Sequence, residues 1–120
     1  MLKRTISLTL GLIIASIPIA NAHTALVSTH PKSNAMLKSS PKYISLTFNQ
    51  DLIEIAGKKV NQIRLFNSKN KEIKLTQSIV IGKDIHVPVS KLPASKYKVT
   101  YRVVSADGHP ITGSFNFWVH

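Results

Sequence analysis

The residues of this sequence best suited by type and spacing to metal chemistry are His23 and the pair framed by Asp107-Gly108-His109. A carboxylate and an imidazole two positions apart can project to the same side of a strand end. Gly108 lets the chain between them turn through an unusual φ, and Pro110 stiffens the exit. His23 follows Ala20-Asn21-Ala22, a small-x-small pattern of the kind a signal peptidase accepts. Cleavage after Ala22 makes His23 the first residue, so its α-amine and imidazole can close a chelate ring on one ion. The amine has a reference pKa of about 8, so metal must displace a proton at neutral pH and binding weakens in acid. Together these groups form a nitrogen- and oxygen-rich set without thiolate. Such donors favour tetragonal Cu(II), which heads the divalent affinity order. Zn²⁺ also accepts two histidines and an aspartate, and donor type alone does not separate the two ions. Asp-Gly turns are also common for backbone reasons alone, and any residue can follow a cleavage site.

Other chemistries find little support. The chain has no cysteine, no Gly-x-Ser-x-Gly elbow, no Gly-rich phosphate loop and no His-Glu-x-x-His. Its five acids, Asp51, Glu54, Glu72, Asp84 and Asp107, show no grouping that would make a glycosidase pair. The expectation is a protein that is not an enzyme. His30, before Pro31, is read as a loop residue, and His86 and His120 as surface residues outside the ligand set.

The first 22 residues read as a signal peptide: Lys3 and Arg4, an apolar stretch from Ile6 to Ile19, then the cleavage pattern. The apolar stretch is shorter than the roughly 20 residues that span a bilayer. Residues 23–120 then form one domain with a single core. The whole chain carries a formal charge of +11; without Lys3 and Arg4, 14 basic residues face five acidic ones, leaving +9. The lysines look scattered along the sequence, and export removes most nucleic acid from reach. A solvated basic surface drawn to anionic membranes is the favoured reading, with no nucleic-acid partner.

Strand signals dominate the elements that must position these donors. Tyr43 to Phe48 alternates with period two, and Val60 to Phe66 carries Ile63 and Leu65 between polar residues. Ile79-Val80-Ile81 and Ile85-His86-Val87 flank Gly82-Lys83-Asp84, a hairpin signal. Tyr97 to Val103 alternates strictly, and after the 107–110 turn the run from Gly113 places Phe115, Phe117 and Val119 on one face. Residues 31–42, rich in Pro and Ser, read as a long loop. About seven short strands without a helical pattern predict an all-β, antiparallel Greek-key sandwich or barrel.

The run from Tyr97 to Phe115, Tyr-Lys-Val-Thr-Tyr-Arg-Val-Val-Ser-Ala-Asp-Gly-His-Pro-Ile-Thr-Gly-Ser-Phe, resembles the C-terminal signature of the CopC family of exported copper-binding proteins. The stretch from His23 to Pro31 resembles that family's mature start, and Pro41 with the strand ending at Phe48 matches as well. The resemblance implies a cupredoxin-like (Ig-like) β-barrel of seven strands. It also implies one Cu(II) held by His23 through amine and imidazole, Asp107 and His109. A periplasmic monomer acting in copper resistance, homeostasis or transport is expected, with a CopD-type inner-membrane protein as partner. Some members carry a methionine-rich loop for Cu(I). The matching region here, roughly 64–75, has no methionine, and the hard donors suit Cu(I) poorly. Gln50 stands where many relatives have glutamate, so no carboxylate role transfers to it and it stays outside the predicted site.

Two competing functions belong to other classes. A histidine chelating copper through its own amine also resembles the histidine brace of copper monooxygenases, but Asp107 would take a further position and 98 residues leave little room to grip a polysaccharide. A metal-free interaction module would use a sheet edge or a loop and would not need His23 or His109.

Overall fold

The computed structural model describes residues 24–120; the leader expected over 1–22 and the ligand expected at His23 lie outside the described residues. Among the described residues every regular element is a strand: β1 (Leu26–His30), β2 (Met36–Leu37), β3 (Tyr43–Phe48), β4 (Gln62–Phe66), β5 (Glu72–Ile73), β6 (Ile79–Ile81), β7 (Asp84–Pro88), β8 (Ser95–Val104) and β9 (Pro110–Val119). They form a four-stranded sheet, ordered β1-β3-β7-β6, and a five-stranded sheet, ordered β2-β9-β8-β4-β5. Three connections are hairpins, β4–β5, β6–β7 and β8–β9, and the others carry the chain from one sheet to the other. The all-β expectation holds, in the form of a two-sheet sandwich that is not closed into a barrel. Seven strands have three or more residues; β2 and β5 add two short ones.

Alternation puts one face of β3, β4, β7, β8 and β9 into the core. Ile44, Leu46 and Phe48 of β3 and Ile85 and Val87 of β7 meet Ile63 and Leu65 of β4, Val99 and Val103 of β8 and Phe115, Phe117 and Val119 of β9. Tyr97 stacks on Phe117 with ring centroids 5.4 Å apart, and its hydroxyl donates to the Pro93 carbonyl. That bond lets a tyrosine be buried without stranding its polar end.

Two details differ from the sequence expectation, and a third bears on the second of them. Residues 31–42 are not wholly a loop, because β2 pairs with β9, and it does so in parallel. The Trp118 amide donates to Ala35 O and the His120 amide to Leu37 O, so this segment is laid along β9. His30 is the last residue of a strand rather than a loop residue. The β1–β3 register shifts between Leu26 and Ser28, and this irregularity interrupts the side-chain alternation by which a strand is read from sequence.

Candidate metal centre

Asp107 and His109 sit on the turn joining β8 to β9. Ser105 and His109 are bonded across it, the Ser105 amide donating to His109 O at 3.3 Å. The Gly108 amide donates to Ser105 O at 2.8 Å, and Gly108 has φ of +84°. This is the three-residue hairpin loop in which a left-handed residue follows a tight turn, a place that glycine fills without strain.

The turn presets its two donors. Asp107 Oδ1 accepts from the Ser105 hydroxyl and from the His109 amide at 3.1 Å, while Oδ2 lies 3.3 Å from His109 Nδ1. The Ser105 hydroxyl bond is the main cause that pushes the Asp107 carboxyl down to about 2, helped by the His109 amide and the His109 ring. The carboxylate is therefore anionic across the whole physiological range. Ser105 is fully buried and its hydroxyl is 3.5 Å from the His109 carbonyl, so it fixes the turn from beneath. The His109 side chain is 73% exposed and can meet an ion arriving from solvent.

Two further segments converge on this end of the sandwich. Ala25 and Asn49 are joined by two bonds, the Ala25 amide donating to Asn49 Oδ1 at 2.8 Å and the Asn49 amide to Ala25 O at 3.0 Å. The Thr24 hydroxyl donates to Gln50 Oε1 at 3.0 Å. The chain beyond Gln50 is in turn tied to the turn, with the Ala106 amide donating to Asp51 O and the Ile53 amide to Val104 O, both at 2.9 Å. Leu52 and Ser105 form an isolated antiparallel bridge between these bonds. Thr24, the residue after His23, is thus linked through Gln50 and Asp51 to the residue before Asp107. Gln50, set aside on sequence grounds, lies in this junction; only long-range pairing brings it there.

Among the described residues no three His, Cys, Asp or Glu side chains are grouped to hold a metal ion. Asp107 and His109 supply two donors, one anionic oxygen and one imidazole, a pair that suits a borderline divalent ion such as Cu(II). His120 is exposed, its amide tied to Leu37 O. Trp118, half-buried with Lys96 Nζ 5.2 Å from its ring centroid, belongs to the far end of β9, roughly 25 Å from the turn by strand rise, so it is not beside the site. A hollow of about 960 Å³ lies between residues 54–64 and 72–80. It contains neither Asp107 nor His109, and no histidine or methionine lines it.

Residues 26–120 match the CopC domain family model. The chain is 31% identical over 118 residues to copper resistance protein C of Escherichia coli, covering 93% of each. It is 34% identical over 101 residues to the copper transport protein CutJ of Bacillus subtilis, covering 80% of this chain and 18% of that longer one. The solved structure of CopC from Methylosinus trichosporium OB3b superposes with a TM-score of 0.72 at 26% identity, covering 81% of this chain and 93% of that one. With its two-sheet sandwich and its Asp-Gly-His turn, this chain belongs to the CopC family.

Proposed function

We propose that the protein is an exported, periplasmic Cu(II)-binding protein acting in copper resistance, homeostasis or transport. It loses its leader after Ala22 and binds one Cu(II) through the amine and imidazole of His23, the carboxylate of Asp107 and the imidazole of His109. It acts as a carrier and not as an enzyme. The observation that carries this reading is the junction in which Thr24–Gln50 and Asp51–Ala106 bonds tether the start of the described chain to the Asp107 turn. A chelating first residue tethered there would add two nitrogen donors to a preset oxygen and nitrogen. The tetragonal set so formed suits Cu(II), and it suits Cu(I) poorly. The occurrence of a similar domain as 18% of a longer copper transport protein supports hand-over to a membrane partner, in the manner of a CopD-type protein.

The test is a Cu(II) titration, followed by electron paramagnetic resonance, of two forms of the protein. One begins at His23 and the other carries one extra residue before it. Tight one-to-one binding with a nitrogen-rich tetragonal spectrum is expected in the first form and is lost or altered in the second. Identical behaviour of the two forms would refute the amine-anchored site.

A further inference from the structure

The outer face of the four-stranded sheet carries a second arrangement of donors. In the register of β1, β3 and β7, His30 pairs with Ser45 and Ser45 pairs with His86, so the three stand in one row. Directly paired residues project from the same face. Ile44, Leu46, Ile85 and Val87 fill the core, so Ser45 and His86 point outward, and His30 with them. The two histidines flank Ser45 at twice the strand spacing, roughly 9.6 Å between Cα atoms. Two imidazoles leaning inward over the serine can span that distance, because each nitrogen sits about 2.0–2.1 Å from a bound ion.

The surroundings favour a cation. The full chain has 16 Lys and Arg, yet β1, β3, β6 and β7 contain none of them. The one acidic residue in these strands is Asp84, two positions before His86 and on the same face. The Thr47 hydroxyl, directly opposite, donates to Asp84 Oδ1 at 2.6 Å and fixes the carboxylate in the next row of the same face. Tyr43, Ser45, Thr47, Asp84 and His86 line an open hollow of about 470 Å³, room for a partly hydrated ion. The His30 ring is not part of that lining but stacks on Tyr43, which is, with centroids 4.4 Å apart and planes 25° from parallel; to reach an ion over Ser45 it must turn from this stack.

From this juxtaposition we infer that His30 and His86 form a second Cu(II) site on the sheet face, completed by water and favoured by the charge of Asp84. It has two protein donors, against the four proposed for the turn, so it fills second and releases its ion first. Its residues, His30, His86 and Asp84, are distinct from those of the Asp107 turn, and it stands or falls independently of that site.

Stepwise addition of CuCl₂ to the exported protein, followed by electron paramagnetic resonance and by titration against a competing chelator, tests it. The wild type should take up two equivalents. His30→Phe, which keeps an aromatic ring on Tyr43 but removes the donor, and His86→Ala should each lose the second equivalent and leave the first unchanged. His109→Ala should weaken the first and keep the second. Saturation of the wild type at one equivalent would overturn the inference, as would survival of the second equivalent in either His30→Phe or His86→Ala. Loss of the first equivalent's dependence on His109 would instead count against the turn site and leave this one standing.

Discussion

Ser105 shows how one hydroxyl can set the chemistry of a neighbour. It is fully buried, yet its oxygen faces two partners, the Asp107 carboxylate and the His109 carbonyl. Stabilising the ionised form of Asp107 lowers its pKa. The consequence for stability follows from linkage: a depressed carboxyl contributes stability above its unfolded value of about 3.8 and loses it as the pH falls through about 2. In Ser105→Ala the carboxyl of the metal-free protein should therefore titrate closer to 3.8, as read by the carbon chemical shift of Asp107, and acid unfolding should begin at a higher pH. The same variant should bind Cu(II) more weakly even where Asp107 is fully ionised, because the carboxylate loses one of the bonds that orient it. An unchanged carboxyl titration would rule out this role for Ser105.

At the scale of elements, the β8–β9 hairpin is the frame on which the turn is carried. Its ten-residue strands pair throughout, from Ser95–Val119 to Val104–Pro110. Tyr101 is opposite Gly113, and a Cβ placed on that glycine would overlap the Tyr101 ring. The ring lies over the bare backbone and meets Phe48 of the other sheet edge-on, with centroids 5.9 Å apart. A glycine inside a strand weakens it on its own, and an aromatic cross-strand neighbour covers the gap. Gly113→Ala should displace the ring and cost about 1–3 kcal/mol as an overpacked contact, measured by denaturant unfolding of the metal-free protein. If instead the variant is as stable as the wild type, the ring is free to swing aside and the inter-sheet contact matters little.

Across the whole molecule the two sheets carry charge unequally. The strands of the four-stranded sheet have no Lys or Arg, whereas the five-stranded sheet presents Arg64 on β4 and Lys96, Lys98 and Arg102 on the outward positions of β8. The basic residues look scattered in the sequence, but alternation along β8 gathers three of them on one face. Such a face attracts an anionic surface, and the attraction is screened as the Debye length falls from about 10 Å at 0.1 M salt to about 3 Å at 1 M. The protein should therefore co-sediment with phosphatidylglycerol-containing vesicles at low salt and be released at high salt. Replacing Lys96, Lys98 and Arg102 with Gln should reduce this binding well beyond what three lysines removed from loops would do. Equal loss from the two sets would mean that net charge alone is responsible.

Much of the architecture was legible without the fold, because it is local. Period-two alternation marks β3 and the β8–β9 pair, and Asp107-Gly108-His109 carries its turn and its two donors within three residues. The family signature over 97–115 lies on that same hairpin. What the sequence could not disclose depends on pairing between distant segments. Ser105 reads as an ordinary turn serine until Leu52 is found opposite it, and Gln50 is unremarkable until Thr24 is bonded to it. β2 is hidden because two residues in a Pro- and Ser-rich stretch have no period; the β9 edge makes them a strand. His30 and His86 are 56 positions apart, and the shifted register in β1 hides which way His30 points. Only the hydrogen-bond register through β3 places the two histidines on either side of one serine, since a slip of a single residue would turn one of them into the core.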